Sequence, residues 1–562
     1  MKQAKNSSTS LLSPDSLFGS YPTLPRWAWV AVWATITVLL GMTITYVWSP
    51  DTAVFYLLGK QLLEGKVMFR DFIDNKPPLI AWIYAGGISL FGSQSSSIRT
   101  LDCIVQIITC GVMISLVRKA TGNSLWAVTS ALLYAILYSG LGFMNSAQTE
   151  SYAGICAVSA LWLQLHKRTG WGLFSAGFLL GGLFTLKYPM GIMLAIAVVA
   201  EFWFFRDTAK KMLQRALFLI AGFLVVPLLL VVWLVSSGAW ANFLEASGFM
   251  SKYGTIQWQN PSLLLKVYLS GVPSYFGDDY SMLLVFSTAI GIFLSIQSGG
   301  LARQEVGQTL PINFNNNVNF TGSVLLRVAT LGFLGLVLTV LIEGKMADYH
   351  FSRIFSLGAI LAGAGVLVLL SLLRYAFRKD FFGKIIALLA ACLLLVYSPL
   401  SRMFRNTIAV YFQTVQGKTY WGYEPVVKGQ YLELQQIDSL LDASGTPQDT
   451  LYASSLSTGL AYVVTERMPP FKFTYSMFFC ADFAPHHWKQ ETANYLLASV
   501  PKWILTEQND ESPTMTGNNF SSEQGLRRLP GVDSLLNTRY QVAMRTPVAR
   551  YILFKRIDPN GS

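Results

Sequence analysis

The sequence predicts an all-α polytopic membrane protein with a small α/β domain at its C-terminal end. Three observations predict it. Hydrophobic residues make up 52% of the 562 and charged residues only 13%, so most of the chain is built for lipid rather than water. About eleven runs approach the ~20 apolar residues that a helix needs to cross a ~30 Å hydrocarbon core. After about residue 403 the runs stop, and strand-like stretches alternate with helix-like ones.

In chain order the candidate spans lie near 27–48, 98–117, 125–143, 151–166, 171–186, 189–205, 214–236, 281–298, 324–342, 352–373 and 385–402. Residues 1–26 lack a signal-peptide core and read as a cytoplasmic tail, so Trp27 opens a retained span. Lys and Arg set the orientation. Arg118 and Lys119, Lys167 and Arg168, Lys210, Lys211 and Arg215, Arg303, and Arg374 to Lys384 hug span ends on one side, as cytoplasmic loops require. The net charge of +12 therefore belongs to membrane orientation, which excludes nucleic acid as a partner. The transmembrane part runs over 27–403, and residues 404–562 form an extracytoplasmic domain on the face that also receives the loop 49–97. Compact loops fit a bacterial inner membrane.

Within that loop Val54, Phe55, Leu57, Leu58 and Leu62 recur at helical spacing, predicting a helix along the interface. "LIAWIYAGGISLFG", from Leu79, is too short to cross and reads as interfacial or re-entrant. In the C-terminal domain "TLYASSL", "PKWILTEQ" and "YQVAMRTPVARYILFKR" predict strands, while "VVKGQYLELQQIDSLLDAS" and "HHWKQETANYLLAS" predict helices. The five cysteines show no metal or disulfide spacing and read as small hydrophobes.

Chemistry gathers on the outer face. Asp51, at the end of the first span, can accept a proton from a hydroxyl or hold a divalent metal, Mg or Mn; it can equally cap a helix starting at Thr52. Arg70, Asp71, Asp74 and Lys76 form either a solvated loop or an anion site. Pro77-Pro78 fixes two φ angles behind Lys76 and holds its ammonium where a lipid phosphate would lie. Glu150 in "NSAQTES" is a second carboxylate or a cap, and Lys187 in "TLKYPMG" a donor-site cation or a snorkelling side chain. "EGKMADYHFSR" gathers Glu343, Lys345, Asp348, Tyr349, His350 and Arg353 around one span end, and "SYFGDDYS" offers Asp278 and Asp279. No phosphate-cradling glycine loop, zinc-protease or serine-hydrolase motif occurs. The polar residues sit at one surface rather than mid-span, which favours headgroup chemistry over transport.

Assembled in this order, these stretches resemble the GT-C superfamily of integral-membrane glycosyltransferases. They are most similar to its family 39, the protein O-mannosyltransferase and aminoarabinose transferase branch. Asp51 opens a helical outer loop as the family's first-loop Asp does. "GKVMFRDFIDNKPPL" resembles the family's "G…P…D…KPPL" stretch and is followed by Arg99. "QTES" stands where the family has its second acidic loop residue, "LKYPMG" is similar to its "TKG" loop, and "ADYHFSRIF" to its late tyrosine-rich motif. The resemblance covers roughly residues 25–375.

The resemblance implies an inverting transfer from a polyprenyl-phosphate-linked sugar to an acceptor hydroxyl on a protein, lipid or glycan. Asp51 would be general base or metal-associated carboxylate, and Glu150 a second active-site carboxylate. Lys76 would be a ligand of the donor phosphate, with Arg70, Lys187, His350 and Arg353 as further donor-phosphate candidates and Asp71, Asp74, Tyr349 and Asp348 nearby. Relatives often carry Asp-Glu where this chain has Asp51-Thr52, so one carboxylate is missing from any metal shell there. The alternative is a non-catalytic glycan flippase or lipid-binding protein using the same cations.

Overall fold

The computed structural model describes residues 24–557 apart from 206, 260, 277–284, 297–319, 378–384, 386–398, 418–424, 445–448 and 474. Asp278 and Asp279, and most of the expected span 385–402, lie outside the described residues.

Each of the other expected spans contains a helix. Among the described residues, five helices are long and apolar enough to cross a membrane: Arg26–Thr45, Ser95–Thr121, Ala209–Ser236, Thr321–Glu343 and Asp348–Leu373. Shorter apolar helices, among them Ser124–Gly140, Gly170–Leu186 and Tyr188–Trp203, pack between them. Many apolar side chains of Ala209–Ser236 remain exposed, such as Leu228, Leu229 and Val232. In a fold with an otherwise well-filled interior, such a helix faces lipid.

Two short helices sit at one end of this bundle. Pro50–Leu63 starts cleanly because Ser49 and Thr52 form a reciprocal capping box and Pro50 occupies the first turn. Leu79–Phe91 starts after Pro78 and ends at Gly92, whose φ of 94° suits glycine alone. The sequence places Pro50–Leu63 along an interface, but it is covered on nearly every side, with Thr52 through Gly59 all buried. It is sandwiched between Leu79–Phe91 and the C-terminal helix Thr458–Val464. Glycines permit the sandwich. A Cβ on Gly59 would lie 2.7 Å from the Ala85 nitrogen, and one on Gly459 would lie 2.7 Å from the Val54 nitrogen. A lipid-facing helix would not need backbones this close.

Among the described residues the C-terminal part builds a four-stranded sheet in the order β1-β2-β4-β3. β1 (Leu451–Ser454) and β2 (Trp503–Glu507) are parallel, joined through the helices that include His486–Ser499. "YQVAMRTPVARYILFKR" is not one strand. It folds back as an antiparallel hairpin, β3 (Tyr540–Arg545) and β4 (Tyr551–Arg556), because Pro547 interrupts the ladder and Arg550 takes a φ of 52°. β2 and most of β4 are buried, and the sheet has its own core around Tyr452, Ile504, Leu526 and Phe554.

Candidate active site

Helix ends and the loops between them gather where the Pro50–Leu63 helix begins. Asp51 lies in its first turn, half-buried. Ser49 supplies the cap, so the Asp51 carboxylate is not consumed by the backbone. It accepts a hydrogen bond from the Gln148 amide at 3.3 Å. A negative charge in a first helical turn is also favoured by the helix dipole.

Lys76 follows from the loop. The Asp74 carboxylate accepts the Lys76 backbone N–H at 2.8 Å, turning the chain into Pro77-Pro78. The Lys76 ammonium lies 5.9 Å from the centre of the Tyr349 ring. Burial works against its charge, but Tyr349, Asp51, Tyr253 and Glu150 hold its pKa well above the ordinary value. Burial pushes Asp74 the other way, up to about 6, with Lys76 opposing and Asp51 reinforcing the rise. The second Asp74 oxygen is buried without a hydrogen-bond partner among the described residues. Asp51, Asp74, Tyr253 and Tyr349 also act on Tyr475, which the C-terminal part contributes.

Beneath this lies a buried charge network. Glu150 sits in a one-turn helix capped by Gln148 and Ser151, so it too is not a cap. It pairs with Lys187 and with Arg353, the latter at 2.9 Å, and accepts from the Thr149 hydroxyl. Glu343 pairs with Lys187 at 2.8 Å and with Arg353 at 2.6 Å. Arg353 also donates to the Thr339 hydroxyl at 2.9 Å. Lys187 thus does not snorkel; it bridges two carboxylates. His350 donates from Nδ1 to the Lys345 carbonyl at 2.6 Å, leaving Nε2 3.8 Å from Glu150.

Glu150, Glu343 and His350 place ligand-type atoms within 4.8 Å of one another, a spacing a metal could bridge. Lys187 and Arg353 already balance the two carboxylates. A dication added here would meet two fixed cations, so the group does not fit a metal in this arrangement. Asp51 is not part of that group.

Other sequence candidates stand apart. Arg70 is paired to Asp71 at 2.8 Å and donates to the Ser237 carbonyl at 3.0 Å, stapling the exposed loop to the end of the Ala209–Ser236 helix. Asp348 opens the Asp348–Phe377 helix and is exposed. Arg99 is fully buried and donates to the carbonyls of Val47, Phe143 and Ser146 and to the Ser146 hydroxyl. It thereby ties the first span to the loop that carries Gln148 and Glu150. Sequence reasoning missed Gln148, Tyr253 and Tyr475. Tyr253 and Tyr475 have no local signal, but Gln148 lies inside the quoted "QTES" motif.

Known proteins resemble this chain in sequence over one segment and in fold over most of its length. Residues 75–235 match the family model described as dolichyl-phosphate-mannose-protein mannosyltransferase. A curated relative, an uncharacterized protein of Aquifex aeolicus strain VF5, is 25% identical over 195 residues. The match takes in 33% of this chain, and the chain spans only 38% of that relative's length. The crystal structure of ArnT from Cupriavidus metallidurans, bound to undecaprenyl phosphate, is similar with a TM-score of 0.56 at 14% identity, over 96% of this chain and 100% of that one. The Archaeoglobus fulgidus oligosaccharyltransferase tethered to an acceptor peptide is similar with a TM-score of 0.50 at 13% identity, over 96% of this chain and 75% of that one. The chain thus shares the fold of these solved membrane-protein structures along nearly its whole length, and residues 75–235 carry the sequence pattern of the mannosyltransferase family model.

Proposed function

We propose that this protein transfers a sugar, with inversion, from a polyprenyl-phosphate donor to an acceptor hydroxyl on the extracytoplasmic face of a bacterial inner membrane. The observation that carries the reading is that the first turn of the Pro50–Leu63 helix brings Asp51 close enough to Lys76 for its charge to act on that ammonium, with the Tyr349 ring 5.9 Å from the ammonium. The donor's isoprenoid tail lies in the bilayer and its phosphate against Lys76. Asp51 removes the acceptor proton as the hydroxyl oxygen forms its bond to the anomeric carbon from the side opposite the phosphate. The bond from that carbon to the phosphate oxygen breaks, and its electron pair leaves on the polyprenyl phosphate. The leaving group gains negative charge, which the fixed Lys76 ammonium stabilises without reorganising. Gln148 holds the Asp51 carboxylate in place through its amide.

Glu150 is a positioning residue in this reading, locked by Lys187 and Arg353 beneath the reacting groups. His350 and Tyr349 line the donor side, and the C-terminal part, 404–562, covers the acceptor side through Tyr475. A Mg or Mn ion has no step here: bound, it would add positive charge at the phosphate, a role Lys76 already fills.

The test is sugar transfer from a labelled polyprenyl-phosphate sugar by full-length protein in lipid. Asp51→Asn should lower turnover by about 10²-fold or more, as loss of a general base does. Asp51→Asn that folds and transfers at the wild-type rate would remove the base and favour a flippase or lipid-binding protein.

A further inference from the structure

Lys345 belongs to none of the ion pairs described above. It lies on the short connection 344–347 between the helices Phe320–Glu343 and Asp348–Phe377. The His350 ring donates to its carbonyl and fixes that connection. Its Nζ is shut off from solvent and has no hydrogen-bond partner among the described residues; it lies over the Tyr253 ring. The same Tyr253 is within range of the Lys76 ammonium.

Two ammonium groups therefore share one buried corner. The carboxylate that acts on Lys345, Glu343, is already engaged by Lys187 and Arg353. Burial, then Lys76 and Lys187, push the Lys345 pKa well below its ordinary value, with Glu343 opposing. Such an arrangement is unfavourable as it stands, since a buried ammonium with an aromatic face beside it but no hydrogen-bond acceptor costs free energy that water would otherwise recover. An anion placed between the two lysines reverses the sign of the interaction. Lysine is suited to this task as a compact point charge with three donors.

We propose that Lys345 is a second cation of the donor's phosphate site, facing Lys76 across Tyr253. This deepens the reading above and rests on a phosphate lying against Lys76. The leaving polyprenyl phosphate carries more negative charge than the donor, so a second ammonium favours the product side of bond cleavage and the approach to it.

The experiment measures binding of a polyprenyl phosphate to full-length protein in detergent, with the neutral polyprenol and inorganic phosphate as separate arms. Wild type and Lys345→Arg should bind the lipid phosphate, and Lys345→Met should bind it about tenfold or more weakly, the loss of one charge-assisted contact. Without ligand, Lys345→Met should unfold at the same or a higher temperature, because the substitution removes an unpaired buried charge. Wild-type affinity in Lys345→Met overturns the proposal, as does a lower unfolding temperature or loss of folding, which would make the ammonium a structural partner. If Lys345→Met binds normally while Lys76→Met does not, only the Lys345 assignment fails. If Lys76→Met also binds normally, or the neutral polyprenol binds as well as the phosphate, the donor site itself fails. Inorganic phosphate competing as strongly as the lipid would assign the pair to free phosphate and overturn the lipid headgroup as its ligand.

Discussion

The Arg353 guanidinium reaches the Glu150 carboxylate at 2.9 Å across 203 residues of sequence, and both side chains are fully buried. Lys187 and Glu343 close the same network. Four charged groups from four separate segments thus form one neutral block under Asp51 and Lys76.

Breaking that block from one side leaves an uncompensated buried charge, which typically costs about 3–5 kcal/mol. Arg353→Met should therefore lower the unfolding temperature strongly, and so should Glu150→Gln. The double variant should lose less than the two single losses combined, because no lone charge remains. Additive losses in thermal unfolding would mean that the two groups are not partners.

Asp74 gives a pH signature. Its pKa is raised from 3.8 to about 6 in the folded protein, so folding favours the protonated acid. The stability it contributes is fully present below about pH 4 and is lost as pH rises through about 6, on the order of 2–3 kcal/mol at most. Asp74→Asn keeps an acceptor for the Lys76 N–H and cannot ionise. Its unfolding temperature should overtake that of the wild type as pH rises from 4 to 8; a constant difference across that range would refute the assignment.

Chelation should leave transfer unchanged, since Lys187 and Arg353 already balance Glu150 and Glu343, and Asp51 lies outside the metal-spaced group found among the described residues. The measurement is turnover after EDTA treatment, with Mg or Mn added back. Loss by chelation and recovery with either ion would show that the network opens to admit a cation.

Gly459 tests the docking of the C-terminal part on the site helix. A Cβ there would lie 2.3 Å from Val54 Cγ2 and 2.7 Å from the Val54 nitrogen. Gly459→Ala should cost about 1–3 kcal/mol through overpacking and reduce transfer by moving the Asp51 helix. Unchanged melting and turnover would show that this contact does not position Asp51.

Arg70→Ala is the contrasting case. The exposed pair with Asp71 is screened by water, so donor affinity should stay at the wild-type value. A clear loss of affinity for the polyprenyl-phosphate donor would return Arg70 to the phosphate site.

Hydropathy is a local property, and so are helix caps and proline punctuation. Helices within the described spans and the two short helices Pro50–Leu63 and Leu79–Phe91 were therefore legible from the chain alone, although the burial of the first was not. Also legible was the candidacy of Asp51, Lys76, Glu150, Lys187 and Arg353, because a charge beside an apolar run is conspicuous. What each charge does was not legible. Capping, snorkelling and ion pairing leave the same letters in a sequence, and they differ only in which distant groups stand within a few ångströms. Only the tertiary structure decided that Ser49 rather than Asp51 caps its helix, that Lys187 bridges two carboxylates, and that Arg70 turns outward. It alone brought in Tyr253 and Tyr475, aromatic residues like dozens of others until folding carried them to the mouth of the bundle. Electrostatic energy depends on distance in space and on burial, and neither quantity exists until the chain has folded.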